Sequence, residues 1–160
     1  MILLLMGVAG AGKTTIGQLL AAELGWDFLD ADHFHPPANV RKMAQGIPLT
    51  DLDRRPWLRR LHTALQRADR EGRSLVFACS ALRAAYREQL FDGLTEARVV
   101  HLTGSRELLF NRLSNRQGHF MPATMLDSQF DTLESPHDAL TVDVAQEPQA
   151  IVTAIMRGMD

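Results

Sequence analysis

One cysteine, one tyrosine and two tryptophans stand in 160 residues, and aromatic residues make up only 6% of the chain. A single thiol closes no intramolecular disulfide, so packing rather than cross-linking must hold the fold. Cys79 lies in the apolar run Leu75-Val76-Phe77-Ala78-Cys79, which reads as a buried strand carrying an inert thiol. Charge of one sign is missing too. With 17 basic and 19 acidic residues interspersed, a formal net charge of −2 gives no broad basic field for nucleic acid or an anionic membrane. No apolar stretch approaches the roughly 20 residues of a membrane span. The first strand begins at Met1, which leaves no room for a leader and sets the expectation of a cytoplasmic protein. His33 and His35 would face opposite ways in an extended segment, and no other Cys or His completes a zinc spacing. The dinucleotide fingerprint G-x-G-x-x-G is absent. Repeats, low-complexity tracts and linkers are absent as well, so residues 1–160 read as one domain.

What is present is concentrated near the start. Gly7-Val8-Ala9-Gly10-Ala11-Gly12-Lys13-Thr14 satisfies the phosphate-cradling template G-x-x-x-x-G-K-[ST]. Glycines let the backbone curl so that N–H groups from Gly7, Ala9, Gly10, Ala11 and Gly12 onward point at phosphate oxygens. Lys13 adds a point charge, Thr14 offers a hydroxyl to magnesium, and Thr15 continues a helix N-terminus that favours anions. The context fits, because Ile2-Leu3-Leu4-Leu5 reads as a buried strand and Ile16, Leu19, Leu20 and Leu24 recur at helical spacing. The expected donor is ATP with magnesium.

The rest of the chain alternates strand and helix. Trp26 to Asp30 reads as a second strand ending in Asp30 and Asp32, followed by a polar excursion over 31–56 with a short helix near Val40 to Gln45. Trp57, Leu58, Leu61, Leu65 and Ala68 mark an amphipathic helix entered through Asp51 or Asp53 and Pro56. Strands are expected over Ser74 to Cys79, Arg98 to Leu102 and Thr141 to Val144. Helices are expected over Ala81 to Leu90, Ser105 to about Asn115, Ala123 to Leu133 and Pro148 to Met156. This pattern predicts an α/β three-layer fold with a five-stranded parallel sheet and helices on both faces. Ligands then sit beyond the carboxyl ends of the strands, the rim that collects the phosphate loop, Asp30, Asp32 and Ser80.

Several candidates separate the classes of nucleotide-binding protein. A motor ATPase places an acidic magnesium ligand after a second buried strand, yet Cys79-Ser80-Ala81 offers none, so Asp30 and Asp32 are the nearest candidates, with Asp30 positioning magnesium directly or through water. Asn-Lys-x-Asp is missing, which disfavours a GTPase. Asp32 can accept the proton of an acceptor hydroxyl; the competing reading is a pair of solvated turn aspartates. Arg112 and Arg116 share a helix face and repel unless an anion such as polyphosphate lies between them; the competing reading is two surface arginines. The break at Gln117-Gly118 could hinge a lid over about 115–125, with His119 as a lid or substrate residue. Trp57, Phe28 and Phe77 read as core.

These residues converge on a resemblance to the gluconate kinases, small P-loop kinases related in fold to shikimate and nucleoside monophosphate kinases. Its carriers are the phosphate loop, Asp30-Ala31-Asp32-His33-Phe34-His35-Pro36, Lys42-Met43, Asp53-Arg54, Pro56-Trp57-Leu58, Cys79-Ser80-Ala81-Leu82-Arg83, Tyr86-Arg87, Arg112 through Arg116, and Ser128-Gln129-Phe130 to Glu134. The resemblance implies phosphorylation of D-gluconate to 6-phosphogluconate by magnesium ATP, usually in a homodimer. It also implies that Lys13 and Thr14 hold the phosphates and magnesium, that Asp32 orients and deprotonates the acceptor hydroxyl, and that Arg112 and Arg116 are lid arginines; catalysis is thus expected from Lys13, Asp32 and Arg116, and metal contacts from Thr14 and, on the residue reading above, Asp30. Substrate contacts are expected from Asp32, His35, Arg54, Arg83, Arg87 and His119, the arginines because a guanidinium matches a carboxylate bidentately. Ala9 and Ala11 stand where the family often has serine, Ala31 where glycine is common, and Arg83 where lysine is frequent. None of these changes removes a reacting group. Shikimate or nucleoside monophosphate phosphorylation is the nearest alternative, and a non-catalytic ATP sensor a more distant one.

Overall fold

β1 (Ile2–Met6) is apolar and buried at every position, as a strand covered on both faces requires. The computed structural model describes residues 1–116 and 122–159. After β1 come α1 (Lys13–Leu24), β2 (Asp27–Asp30), a 3-10 turn at Ala31–Phe34, α2 (Pro37–Ala44) and α3 (Asp51–Arg70). β3 (Leu75–Ala78), α4 (Ala84–Phe91), β4 (Ala97–Thr103) and α5 (Arg106–Ser114) follow. A second 3-10 turn at Ala123–Met125 leads into α6 (Leu126–Thr132), β5 (Leu140–Asp143) and α7 (Pro148–Met159).

The five strands form one sheet in the order β2-β3-β1-β4-β5. Every pairing is parallel, with Leu5 opposite Ala78 on one side and Val100 on the other. Alternation along β1 divides the core in two. Leu3 and Leu5 join α1 and α7 through Ile16, Leu20, Ile151 and Ile155, while Ile2, Leu4 and Met6 join α3 and α4 through Trp57, Leu61, Leu65 and Leu90. Because all strands run the same way, their carboxyl ends deliver the phosphate loop, Asp30, Cys79-Ser80 and Thr103-Gly104 to one rim.

Local chemistry sets most boundaries. Ser105 caps α5 by accepting from the Leu108 N–H, and Thr50 with Asp53 forms a reciprocal capping box that starts α3. Pro56 therefore lies inside α3 rather than at its entrance. The helix expected from Ala81 starts instead at Ala84, because Ala81 holds a left-handed φ of 41° that no helix accommodates. The expected helix over 123–133 is a 3-10 turn followed by α6. The short helix in the polar excursion starts earlier than expected, with Pro37 in its first turn and Pro36 extended before it. Of the lid expected over 115–125, residues 117–121 lie outside the described residues.

Candidate active site

The loop after β1 closes on α1 without any side-chain cap, so the N–H groups of the helix's first turn face the cavity for an anion. Gly10 has φ +83°, and a Cβ there would lie 2.8 Å from the Leu109 carbonyl oxygen, so this position excludes a side chain. Lys13 Nζ donates to the Val8 carbonyl at 3.1 Å, folding the lysine over its own loop. Burial lowers its pKa, with Asp32, Cys79 and Asp30 opposing that shift and Arg116 reinforcing it. Thr14 Oγ1 donates to Asp30 Oδ2 at 2.7 Å, and Asp30 Oδ1 accepts the Asp32 N–H at 2.9 Å. Hydroxyl and carboxylate oxygens thus meet beside the loop, a donor set suited to a hard cation that keeps phosphate and water ligands. Among the described residues no group of three or more His, Cys, Asp or Glu side chains could hold a metal ion.

A cavity of about 350 Å³ opens in front of the loop. Gly10, Gly12, Lys13, Thr14, Arg112 and Arg116 line it together with Asp32, His35, Arg54, Trp57 and Tyr86. Arg112 is held by a 2.7 Å hydrogen bond to the Val144 carbonyl, which ties α5 to the end of β5. His35 stacks on Trp57 with ring centroids 4.3 Å apart and planes 10° apart, while Trp57 Nε1 donates to the Ala31 carbonyl. Burial pushes the His35 imidazole down to about 4, so it is neutral at ordinary pH despite the pull of Asp32. Arg54 donates to the Leu49 carbonyl and to the Tyr86 hydroxyl, and its guanidinium lies 5.4 Å from the tyrosine ring centre. The Tyr86 hydroxyl in turn donates to Asp51, which holds that carboxyl below its usual range.

Not every expected residue reaches this cavity. Arg87 is buried, its guanidinium donates to the carbonyls of Ala81, Leu82 and Glu134, and it does not line the cavity, so it is held by backbone away from the expected substrate contact. Arg83 is exposed, lies 4.0 Å from Asp51, and does not line the cavity. His119 lies outside the described residues. Cys79 is buried and its thiol pushed up to about 12 by burial, as an inert core thiol requires.

With this geometry in place, comparison with known proteins is informative. A family model described as shikimate kinase matches residues 9–159. A probable gluconokinase of Xenopus tropicalis is 46% identical over 178 aligned positions, covering 100% of this chain and 94% of that protein. A gluconokinase of Gluconobacter oxydans is 45% identical, covering 97% and 89% respectively. The chain belongs to the gluconokinase family. A solved gluconokinase from Sinorhizobium meliloti superposes with a TM-score of 0.86 at 41% identity, covering 98% of this chain and 90% of the other. The shikimate kinase match is therefore the broader likeness, and the gluconokinase match the narrower one.

Reading a gluconokinase from residues alone leaves out three cavity side chains. Trp57 is both core and wall, buried on one edge while its ring supports His35. Tyr86, the single tyrosine, sits one position from Arg87, yet it rather than Arg87 turns toward the cavity. Gln129 reaches back from α6 to the phosphate loop, where its Oε1 accepts the Ala9 N–H at 2.6 Å, so this N–H, expected to point at phosphate, is bonded to a side chain instead. The last contact spans 120 residues, and no local pattern announces it.

Proposed function

We propose that this protein transfers the terminal phosphoryl group of ATP to the terminal hydroxyl of D-gluconate, giving 6-phosphogluconate and ADP. One observation carries the reading: the phosphate loop and the Asp32 carboxylate open into a single cavity, whose wall also presents Arg54 and Tyr86. In-line transfer needs an acceptor oxygen facing the terminal phosphorus, a group to take its proton, and donors to neutralise the transferred oxygens. Asp32 accepts the hydroxyl proton as the acceptor oxygen bonds to phosphorus and the bond to the ADP oxygen breaks. Lys13 and the first-turn N–H groups of α1 hold the donor phosphates, with Arg112 and Arg116 beside them. Neutral His35 offers hydrogen bonding without charge, and Arg54, steadied by Tyr86, is placed to pair with the sugar-acid carboxylate. Thr14 and Asp30 supply oxygens for magnesium, which screens phosphate charge when bound.

A single kinase domain, with acceptor contacts from 31–56 and a lid over about 115–125, completes this reading. A homodimer is part of it through the family resemblance, and a cytoplasmic location is proposed with it. Among the described residues no helix is long and apolar enough to cross a membrane. Light scattering of the purified chain tests the dimer.

The function is tested by following ADP release from magnesium ATP across gluconate, other sugar acids, shikimate and nucleoside monophosphates. Gluconate is expected to give the highest kcat/KM. Faster turnover with shikimate or a nucleotide, or ADP release indifferent to every acceptor, would replace this reading.

A further inference from the structure

α6 is attached to two parts of the cavity wall. At its middle, Gln129 accepts the N–H of Ala9, the third residue of the phosphate loop, at 2.6 Å. Just beyond its end, the Glu134 N–H donates to the Leu82 carbonyl at 2.8 Å, and the Glu134 carbonyl accepts from Arg87 at 2.9 Å. Arg87 also donates to Ala81 and Leu82 at 2.8 and 3.2 Å, so one buried guanidinium binds α6 to the loop after β3. That loop brings Ser80 and Leu82 to the cavity wall and holds Ala81 at a φ of 41°, a conformation that persists only under restraint.

The N–H groups that open α1 belong to Lys13, Thr14 and Thr15, four to six residues along the chain from Ala9. Ala9 is thus the residue through which the loop can be held without giving up the donors at the helix start. We propose that Gln129 is a positioning residue for phosphoryl transfer: by tying Ala9 to α6, it sets the separation between the phosphate loop and the wall built on Leu82. The proposal rests on the transfer reading above. Each substrate keeps its own contacts when this tie is lost, but the acceptor oxygen and the terminal phosphorus lose their alignment. A displacement of about 1 Å costs on the order of 100-fold in rate. Water then competes, its oxygen bonding to phosphorus to give inorganic phosphate and ADP in place of phosphorylated acceptor.

Gln129→Met keeps side-chain length and removes the carbonyl; Gln129→Glu keeps an oxygen acceptor for the Ala9 N–H. Both full-length variants are compared with wild type by steady-state kinetics, with ADP and phosphogluconate measured separately, and by thermal melting to normalise for folded protein. In Gln129→Met, kcat is expected to fall at least tenfold with both KM values within about threefold of wild type. The ratio of ADP to phosphogluconate should rise above one, and Gln129→Glu should recover kcat relative to Gln129→Met. Unchanged kcat per folded molecule, an unchanged product ratio, or ATP binding tightened by the loss of Gln129 overturns the proposal. Wild type that fails to phosphorylate gluconate at all overturns the transfer reading instead.

Discussion

In the proposed transfer, Asp32 is the group that takes the proton of the acceptor hydroxyl. Asp32→Asn keeps size and hydrogen bonding but accepts no proton, so kcat should fall about 10²- to 10⁴-fold while ATP affinity, measured by titration calorimetry, is retained. Near-normal turnover would assign the carboxylate a structural part only. His35 gives a second residue-level expectation. Its imidazole titrates near 4 when folded against about 6.5 in the unfolded chain, so between these values the unfolded state binds more protons. Stability from this group is complete above about pH 6.5 and is lost as pH falls toward 4, on the order of 2–3 kcal/mol. Urea unfolding of His35→Gln should show a flatter pH profile than wild type across that window. Lys13, Thr14, Asp30 and Asp32 were legible because their chemistry sits in a contiguous motif or at a strand end. Arg87 was misread because spacing places a guanidinium near a site without saying which carbonyls claim its donors.

At the scale of elements, the same guanidinium makes a packing device. Arg87 joins the start of α4, the loop after β3 and the residue beyond α6 through three backbone carbonyls. Arg87→Met takes the donor from the Ala81 and Glu134 carbonyls, while the Leu82 carbonyl keeps the Glu134 N–H; denaturant unfolding should show a loss of about 1–3 kcal/mol. The gluconate KM of the folded fraction should change less than threefold; a large rise in KM would return Arg87 to the substrate site. Strand and helix order was readable along the chain because apolar runs of four or five residues alternate with 3.6-residue periodicity. Boundaries were readable where a cap fixes them, as at Ser105. One was missed where the backbone is special, since Ala81 delays α4, whereas α3 starts at Asp51, one of the entrances expected for it.

For the whole molecule, the parallel sheet places every functional strand end on one rim, so ligand binding and global stability are linked. A nucleotide that binds only the folded state, at 100 times its dissociation constant, adds about 2.7 kcal/mol. Melting temperature should then rise by about 5–10 °C with an ATP analogue and magnesium, and by less for Asp30→Asn at equal magnesium. An equal rise in both would remove Asp30 from the cation site. The sheet order was not legible from the sequence, since period and propensity do not say which strands pair. The cavity was legible only in part, since its wall is assembled from residues more than 30 positions apart, as in the contact of Arg54 with Tyr86.

The fate of gluconate itself tests the proposed transfer most directly. Mass analysis of gluconate incubated with the protein and magnesium ATP should show one phosphoryl group gained, in an amount equal to the ADP formed. ADP accumulating while gluconate stays unmodified would contradict it.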